Sequence, residues 1–180
     1  MANLSITKRA LAQTLKEMML EEPLAKISVG DICARCGMNR KSFYYHFKDK
    51  YDLVNWIFYT EFLQCYVGEA SGEEGGWEAM LRLCEYFQKN KAFYRRALEA
   101  QGQNSFYEYF GEIITAIIAE NLYPLFEDGE HHDFYIDMFT EAIRSVIVRW
   151  LREENSLPPE EFVQLLKNAT MGIGYKTVSS

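Results

Sequence analysis

Apolar residues along most of this chain recur at spacings of three and four, the pattern typical of amphipathic helices. Two long runs show the pattern best, over residues 106–118 and 135–150. A third run, over residues 162–173, follows Pro158 and Pro159, and proline suits the first turn of a helix. The alternation of apolar and polar positions that marks a strand is hard to find, so the sequence predicts an all-α protein.

The first fifty residues divide into shorter segments with clear helix boundaries. A first helix is predicted from about Ser5 to Glu21, because Pro23 disfavours its continuation. The sequence from Ser28 to Asp31 has the form of a capping box, which places the start of a second helix at Ser28.

Two further helices are expected directly after this one. Gly37 ends the second helix after about two turns. Asn39 is a good N-cap for a third helix running from Arg40 to about Phe47, and Asp49 is a good N-cap for a fourth. Two short helices joined by a glycine-containing turn form a helix-turn-helix, and residues 28–47 have this form.

The net charge of −7 would by itself argue against nucleic acid as the main partner. The charge is unevenly distributed, however. Residues 1–55 carry nine Lys and Arg against six Asp and Glu, a balance of +3, which leaves −10 for the other 125 residues. Such asymmetry indicates a nucleic-acid-binding segment joined to a domain with another role.

The sequence contains no run of about 18 apolar residues and no apolar signal-peptide core, so a cytoplasmic protein without a membrane partner is expected. Cysteines in a reducing compartment rarely form structural disulfides. All four are therefore predicted to be free thiols: Cys33, Cys36, Cys65 and Cys84.

The second and third predicted helices also carry a family resemblance. An Asp-Ile pair in the second helix is followed by the glycine turn, by the run Phe-Tyr-Tyr-His-Phe and by Lys50-x-x-Leu53. Over 27 contiguous positions, from Ile27 to Leu53, this segment resembles the N-terminal signature of the TetR family of bacterial regulators. Cys33 and Cys36 stand where the family usually has alanine, and packing of cysteine as a small apolar residue keeps the fold intact.

This resemblance and the helix-turn-helix geometry together predict the residues that contact double-stranded DNA. The exposed start of the third helix reaches base edges in this motif, so Arg40, Lys41 and Ser42 are predicted to read the sequence. Ser28, at the start of the second helix, is expected to donate to a phosphate. Phe43 and Phe47, four positions apart, are expected to face the core. The full predicted DNA-binding set is Ser28, Asn39, Arg40, Lys41, Ser42, Tyr44, Tyr45, His46 and Lys50, the last four mainly as phosphate contacts.

The resemblance further implies two domains. Residues 1–50 would form the helix-turn-helix DNA-binding domain, and residues 51–180 a helical effector-binding and dimerisation domain. The last two predicted helices, at about residues 131–153 and 159–174, have apolar faces suited to a four-helix bundle made by two subunits. A homodimer would bind a palindromic operator whose half-sites lie about one helical turn apart or slightly more.

The middle of the chain is rich in aromatic residues, which is typical of a pocket for a flat or apolar effector. Ordinary core packing is the alternative for each residue. A small-molecule effector would make the protein a ligand-responsive repressor, the commonest kind of member in the family. The residues expected to line the pocket are Phe62, Tyr66, Tyr86, Phe87, Phe106, Tyr107 and Phe110.

The segment from Phe93 to Phe110 also resembles the C-terminal domain of regulators associated with dihydroxyacetone-kinase operons. Some members of that subgroup are activators whose signal arrives through a protein partner. The resemblance therefore implies an alternative, a transcriptional activator controlled by a protein co-regulator.

Metal and catalytic sites are not expected. Cys33 and Cys36 have the spacing of a metal-binding or redox pair, but no second pair is suitably spaced. A polar turn before a helix explains the residues from His131 to Asp133. The common catalytic motifs are missing, which argues against an enzyme, a cofactor or a bound metal.

Overall fold

The structure is a computed structural model that describes residues 2–63, 76–100, 105–122 and 131–178, with side chains described for residues 6–63, 76–100, 105–119, 131 and 133–170. These residues contain helices and turns but no strand, which confirms the predicted all-α fold. No helix in this part of the chain combines the length and the apolar character that crossing a membrane requires. The helices are α1 (Ala2–Glu21), α2 (Val29–Arg35), α3 (Arg40–His46), α4 (Lys50–Phe58), α5 (Gly76–Lys89), α6 (Lys91–Ala97), α7 (Phe106–Leu122), α8 (His132–Arg152) and α9 (Pro159–Val178).

Two short elements supplement these helices. Leu24–Lys26 forms a 3₁₀ turn between α1 and α2, and a π-helical turn over Tyr59–Leu63 continues α4. The glycine-rich stretch from Gly68 to Gly76 is typical of a loop. It lies outside the described residues except for Gly76, which begins α5.

Contacts divide the chain into two compact units. The first consists of Met1–Cys65 together with Ala92–Tyr109, so the four N-terminal helices share one unit with most of α6 and the start of α7. Its core confirms that Phe43 and Phe47 face inward, since their side chains are 0% and 3% exposed. The largest other buried side chains from α1 and α4 are Leu11, Leu15, Met19, Leu53, Ile57 and Phe58.

The second unit consists of Tyr66–Lys91 and Phe110–Ser180. Trp150 near the end of α8 stacks on Phe162 in the first turns of α9, with ring centroids 4.8 Å apart and planes 12° apart. The indole Nε1–H of Trp150 also donates to the Leu157 carbonyl at 2.8 Å. This hydrogen bond satisfies the one polar atom of a buried indole and fixes the connection between α8 and α9.

Candidate nucleic-acid interface

The N-terminus of α2 has a complete capping box. The backbone N–H of Asp31 donates to Ser28 Oγ at 3.2 Å, and the backbone N–H of Ser28 donates to Asp31 Oδ2 at 2.9 Å. Hydrogen bonds from Ser28 lower the pKa of Asp31, and the nearby positive charge of Arg40 lowers it further. The capping box confirms the predicted start of α2. It also engages Ser28 within the protein, and the phosphate contact of Ser28 stays a prediction.

The turn between α2 and α3 requires a glycine. Gly37 has φ +67°, a conformation that residues with a side chain rarely adopt. The backbone N–H of Met38 donates to the Cys33 carbonyl at 2.8 Å, and that of Gly37 donates to the Ala34 carbonyl at 3.4 Å. These two bonds form a Schellman motif, which ends α2 and sets the direction in which α3 leaves the turn.

Helix α3 is amphipathic and presents the predicted DNA-contacting side chains outward. Asn39 is its N-cap, accepting a hydrogen bond from the backbone N–H of Ser42 at 2.8 Å. Tyr44 and Tyr45 are 58% and 76% exposed, unusually high values for aromatic side chains. Arg40 and Lys41 are exposed as well, whereas His46 and Ser42 are partly exposed. One face of α3 therefore offers cations and hydroxyl groups to the exterior while Phe43 and Phe47 anchor the other.

The Arg40 side chain lies across the start of α2. A Cβ atom built on Gly30 would stand 2.4 Å from Arg40 Nη2, so the guanidinium occupies the space that a larger residue would fill. The residue after Gly30 is Asp31, which carries a carboxylate. Helices α2 and α3 therefore together set the position of Arg40, the arginine predicted to read bases.

Lys50, for which the sequence predicts a phosphate contact, is directed toward backbone carbonyls. Its Nζ donates to the carbonyls of Leu24 and Ile27 at 2.7 Å each and to that of Ala25 at 3.2 Å. An ammonium has three donors, and all three are used in these contacts. Burial lowers the pKa of Lys50, and the carboxylate of Asp49 opposes this effect. Lys50 thus joins the start of α4 to the segment before α2.

We expect Lys50→Met to lower the free energy of unfolding by about 1–2 kcal/mol, because hydrogen bonds that involve a charged group contribute about 1.5–3 kcal/mol and water replaces part of them. The dependence of DNA affinity on salt should stay as in the wild type. Thermal unfolding and a salt titration of DNA binding measure the two effects. Lys48→Met, at an exposed neighbour, is the control for charge. If the Lys50 variant instead reduces the slope of log affinity against log salt concentration by about one, Lys50 contacts a phosphate as the sequence predicts.

The predicted effector residues fall into two aromatic clusters, one in each unit. In the first unit Phe62 and Phe106 each lie 5.3 Å from Phe58 between ring centroids. In the second unit Phe87 lies 5.2 Å from Phe110. These four side chains are buried, as is Tyr86, while Tyr107 is partly exposed and Tyr66 lies outside the described residues. Their role in effector binding stays a prediction.

A groove in the second unit lies between α5 and α9. It has a volume of about 300 Å³. Its walls combine apolar, acidic and basic side chains, and they include none of the predicted effector residues: Trp77, Glu78, Leu81, Glu160, Val163, Gln164 and Lys167.

Cys33 lies in α2, and Cys36 is the C-cap residue of this helix. Cys33 and Cys36 are free thiols, as is Cys84, and Cys65 lies outside the described residues. Burial raises the pKa of the Cys33 thiol, and the neighbouring Cys36 raises it further. A raised pKa lowers the thiolate fraction on which cysteine reactivity depends.

Sequence reasoning missed two groups that position the helix-turn-helix. One is the Lys50 ammonium, whose carbonyl partners lie 23 to 26 residues away. The other is Arg96 of α6, whose Nη1 donates to the carbonyls of Met19 and Glu22, the latter at 3.1 Å. A proline at position 23 was the available signal, because it leaves the Met19 carbonyl without a helical N–H partner.

Comparison with families of known proteins gives two matches that together cover most of the chain. Residues 12–57 match the model described as bacterial regulatory proteins, tetR family. Residues 77–172 match the model described as transcriptional regulator C-terminal region. A similar curated protein is the HTH-type dhaKLM operon transcriptional activator DhaS of Lactococcus lactis subsp. lactis (strain IL1403), 30% identical over 91 residues. The matched region is 51% of this chain and 48% of that protein, so it spans about half the length of the relative.

Solved structures with a similar fold are also regulators. The dihydroxyacetone kinase operon activator DhaS has a TM-score of 0.67 and 23% identity over 93% of this chain and 97% of its own. A TetR transcriptional regulator from Streptococcus agalactiae 2603V has a TM-score of 0.67 and 16% identity, covering 91% and 93%. NalD, the secondary repressor of the MexAB-OprM multidrug efflux pump in Pseudomonas aeruginosa, has a TM-score of 0.62 and 17% identity, covering 96% of each chain.

Proposed function

The chain belongs to the TetR family of bacterial transcription regulators, and from this premise we propose that it binds a palindromic DNA operator as a homodimer through α3. The main support for this proposal is that α3 has one buried face and one exposed face. Phe43 and Phe47 are buried, while Arg40 and Lys41 are exposed at the capped end of the helix. In a helix-turn-helix, this end of the second helix approaches base edges in the major groove.

We assign different roles to the exposed side chains. Arg40 and Lys41 have the donors that pair with guanine O6 and N7, and Ser42 contacts bases of either kind. Tyr44, Tyr45 and His46 lie farther along α3 and position the helix by contacting phosphate. The N-cap bond of Asn39 holds the first turn of α3 in place.

The second unit supplies the dimer interface in this proposal. Phe134 and Met138, one turn apart on α8, are 64% and 40% exposed, and Leu165 on α9 is 53% exposed. Large apolar side chains at this level of exposure mark association surfaces when they lie together. The last two helices of two subunits would bury them in a four-helix bundle.

We expect Phe134→Asp to weaken self-association at least tenfold, because an aromatic side chain at the centre of an interface commonly contributes about 2 kcal/mol or more. Sedimentation equilibrium over a range of protein concentrations measures the change. Leu20→Asp is the matched control, since Leu20 on α1 is 63% exposed and lies in the other unit. Equal association of both variants and the wild type would place the interface elsewhere.

For the sign of regulation we propose repression that is relieved by a small-molecule effector. Such an effector acts by binding the arrangement that does not bind DNA more tightly than the arrangement that does. The similar structure of NalD is described as a repressor, which supports this assignment at the level of fold.

A second candidate is activation of an operon of the dihydroxyacetone-kinase type under the control of a protein co-regulator. It is favoured by the 30% identity to an activator over 91 residues. A reporter placed behind the operator and its native promoter distinguishes the two. Deletion of the regulator raises expression if the protein represses and lowers it if the protein activates.

Selection of bound duplexes from a random DNA pool tests the operator proposal. Purified wild-type protein at moderate salt should enrich a palindrome. Raising the salt should weaken binding to every duplex through counterion release. Failure to enrich any motif at low or moderate salt contradicts the proposal.

A further inference from the structure

We propose that Arg96 is a positioning residue for DNA binding, which holds the end of α1 on α6 and so restricts the separation of the two helix-turn-helices in a dimer. This inference rests on the proposed function. It concerns a residue 46 positions beyond the predicted DNA-binding domain.

The need for Arg96 arises from the chemistry of the α1 C-terminus. A helix leaves its last four carbonyls without intrahelical donors. The carbonyl of Met19 would ordinarily accept from the N–H four residues later, but that residue is Pro23, which has no N–H. Arg96 Nη1 donates to this carbonyl and to that of Glu22, the latter at 3.1 Å. Its positive charge also complements the negative end of the α1 dipole.

The same end of α1 is joined to the helix-turn-helix by an ion pair. Glu21, the last residue of α1, accepts two hydrogen bonds from the Arg35 guanidinium in the last turn of α2, at 2.6 and 2.8 Å. Bidentate pairs of this kind are geometrically specific. The last turn of α1 therefore lies between two arginines, Arg96 from α6 and Arg35 from α2.

One further contact joins α1 to α6 one turn earlier, between the Lys16 ammonium and the Phe93 ring. Lys16 Nζ lies 2.8 Å from Glu61 Oε2 and 6.0 Å from the centroid of the Phe93 ring on α6. Tyr94, also on α6, packs edge-on to Phe58 with ring centroids 5.9 Å apart. Most of helix α6 is thus part of the unit that contains the helix-turn-helix. Arg96 attaches α6 to α1 by hydrogen bonds.

Helix α6 is also joined along the chain to the second unit. Only Asn90 separates α5 from α6, and α5 belongs to the second unit, which carries the proposed dimer interface. Firm attachment of α6 to α1 limits the movement of each helix-turn-helix on the chain segment that joins it to the second unit. Less conformational entropy is lost when the dimer binds two half-sites at one fixed spacing, because the attachment already restricts movement before binding.

The test is a scan of operator spacing. The selected palindrome is prepared with its central spacer lengthened or shortened by one and two base pairs, alongside a duplex with a single half-site. Wild-type protein, Arg96→Met and Arg95→Met are titrated on each duplex. Arg95 is the matched control, since it precedes Arg96 on α6, its side chain is 44% exposed, and its Nε lies 4.0 Å from Glu99 Oε1.

The wild type and Arg95→Met should prefer one spacing by at least tenfold. Arg96→Met should lose at least fivefold of that preference while keeping its affinity for the single half-site within twofold. Arg96→Lys, which keeps a cationic donor for the two carbonyls, should recover at least half of the lost preference. Circular dichroism confirms that each variant is folded, and Arg96→Lys serves as the test if Arg96→Met is not.

Two outcomes would overturn the inference while leaving the proposed function intact. One is a spacing preference in Arg96→Met as sharp as in the wild type. The other is an equal loss of affinity on every duplex, the single half-site included, which would show a general effect on stability. A wild-type protein that binds no duplex specifically would instead overturn the proposed function, and the inference with it, before any variant is compared.

Discussion

Replacement of Arg40 and Lys41 by alanine together is expected to weaken binding to the selected operator by about 10²- to 10⁴-fold, because each good contact to a base edge discriminates by about 1–3 kcal/mol. Both side chains are exposed at the start of α3, beyond the Asn39 cap. Their loss leaves Phe43 and Phe47 buried and the helix in place, so the melting temperature should stay close to that of the wild type. Fluorescence anisotropy with operator and scrambled duplexes measures the effect.

The control removes the same charge from the second unit. Lys89 is exposed there, and Lys89→Glu lowers the net charge by the same two units. If the control loses as much operator affinity as the α3 variant, the effect is one of overall charge and not of reading by α3. Operator affinity retained by the α3 variant would place the reading residues elsewhere.

Phe58→Ala is expected to lower the free energy of unfolding by about 3–5 kcal/mol, the usual cost of truncating a buried aromatic side chain. Phe58 is fully buried at the end of α4. Its ring contacts aromatic partners from three parts of the chain, with centroid distances between 5.3 and 6.3 Å: Phe62, Tyr94, Phe106 and Tyr109. Removing it leaves a cavity where α4 meets α6 and α7 within the first unit.

Thermal unfolding followed by circular dichroism measures this change. Tyr59→Ala is the control, because Tyr59 is the next residue and is 49% exposed. The control should unfold within about 0.5 kcal/mol of the wild type, as exposed substitutions generally do. Similar losses in both variants would mean that the cluster around Phe58 is not the centre of this core.

The helix-turn-helix could be predicted from sequence because its signals are local. The Ser28 capping box, the Asn39 cap and Gly37 each act within three or four residues, and all three are found where the sequence placed them. The inward direction of Phe43 and Phe47 followed from their spacing on one helix. Local hydrogen bonding and periodicity decide these features, so a single sequence contains enough information.

The contacts that hold the motif in place could not be predicted in the same way. Arg96 reaches carbonyls 74 and 77 residues earlier, and Lys50 reaches carbonyls 23 to 26 residues earlier. A long cationic side chain has many rotamers and gives no periodic signal, so its partner depends on the tertiary fold. The aromatic residues of the middle of the chain illustrate the same difficulty, because burial in a core and lining a pocket demand the same residue types.

Hydroxyl-radical footprinting of the wild-type protein on its selected duplex examines sequence reading by α3 and two-fold assembly in a single experiment. We predict two protected stretches on one face of the duplex, with centres about 10 to 11 base pairs apart or slightly more. A single protected stretch, or uniform protection without a fixed position, would contradict operator binding by a dimer of this chain.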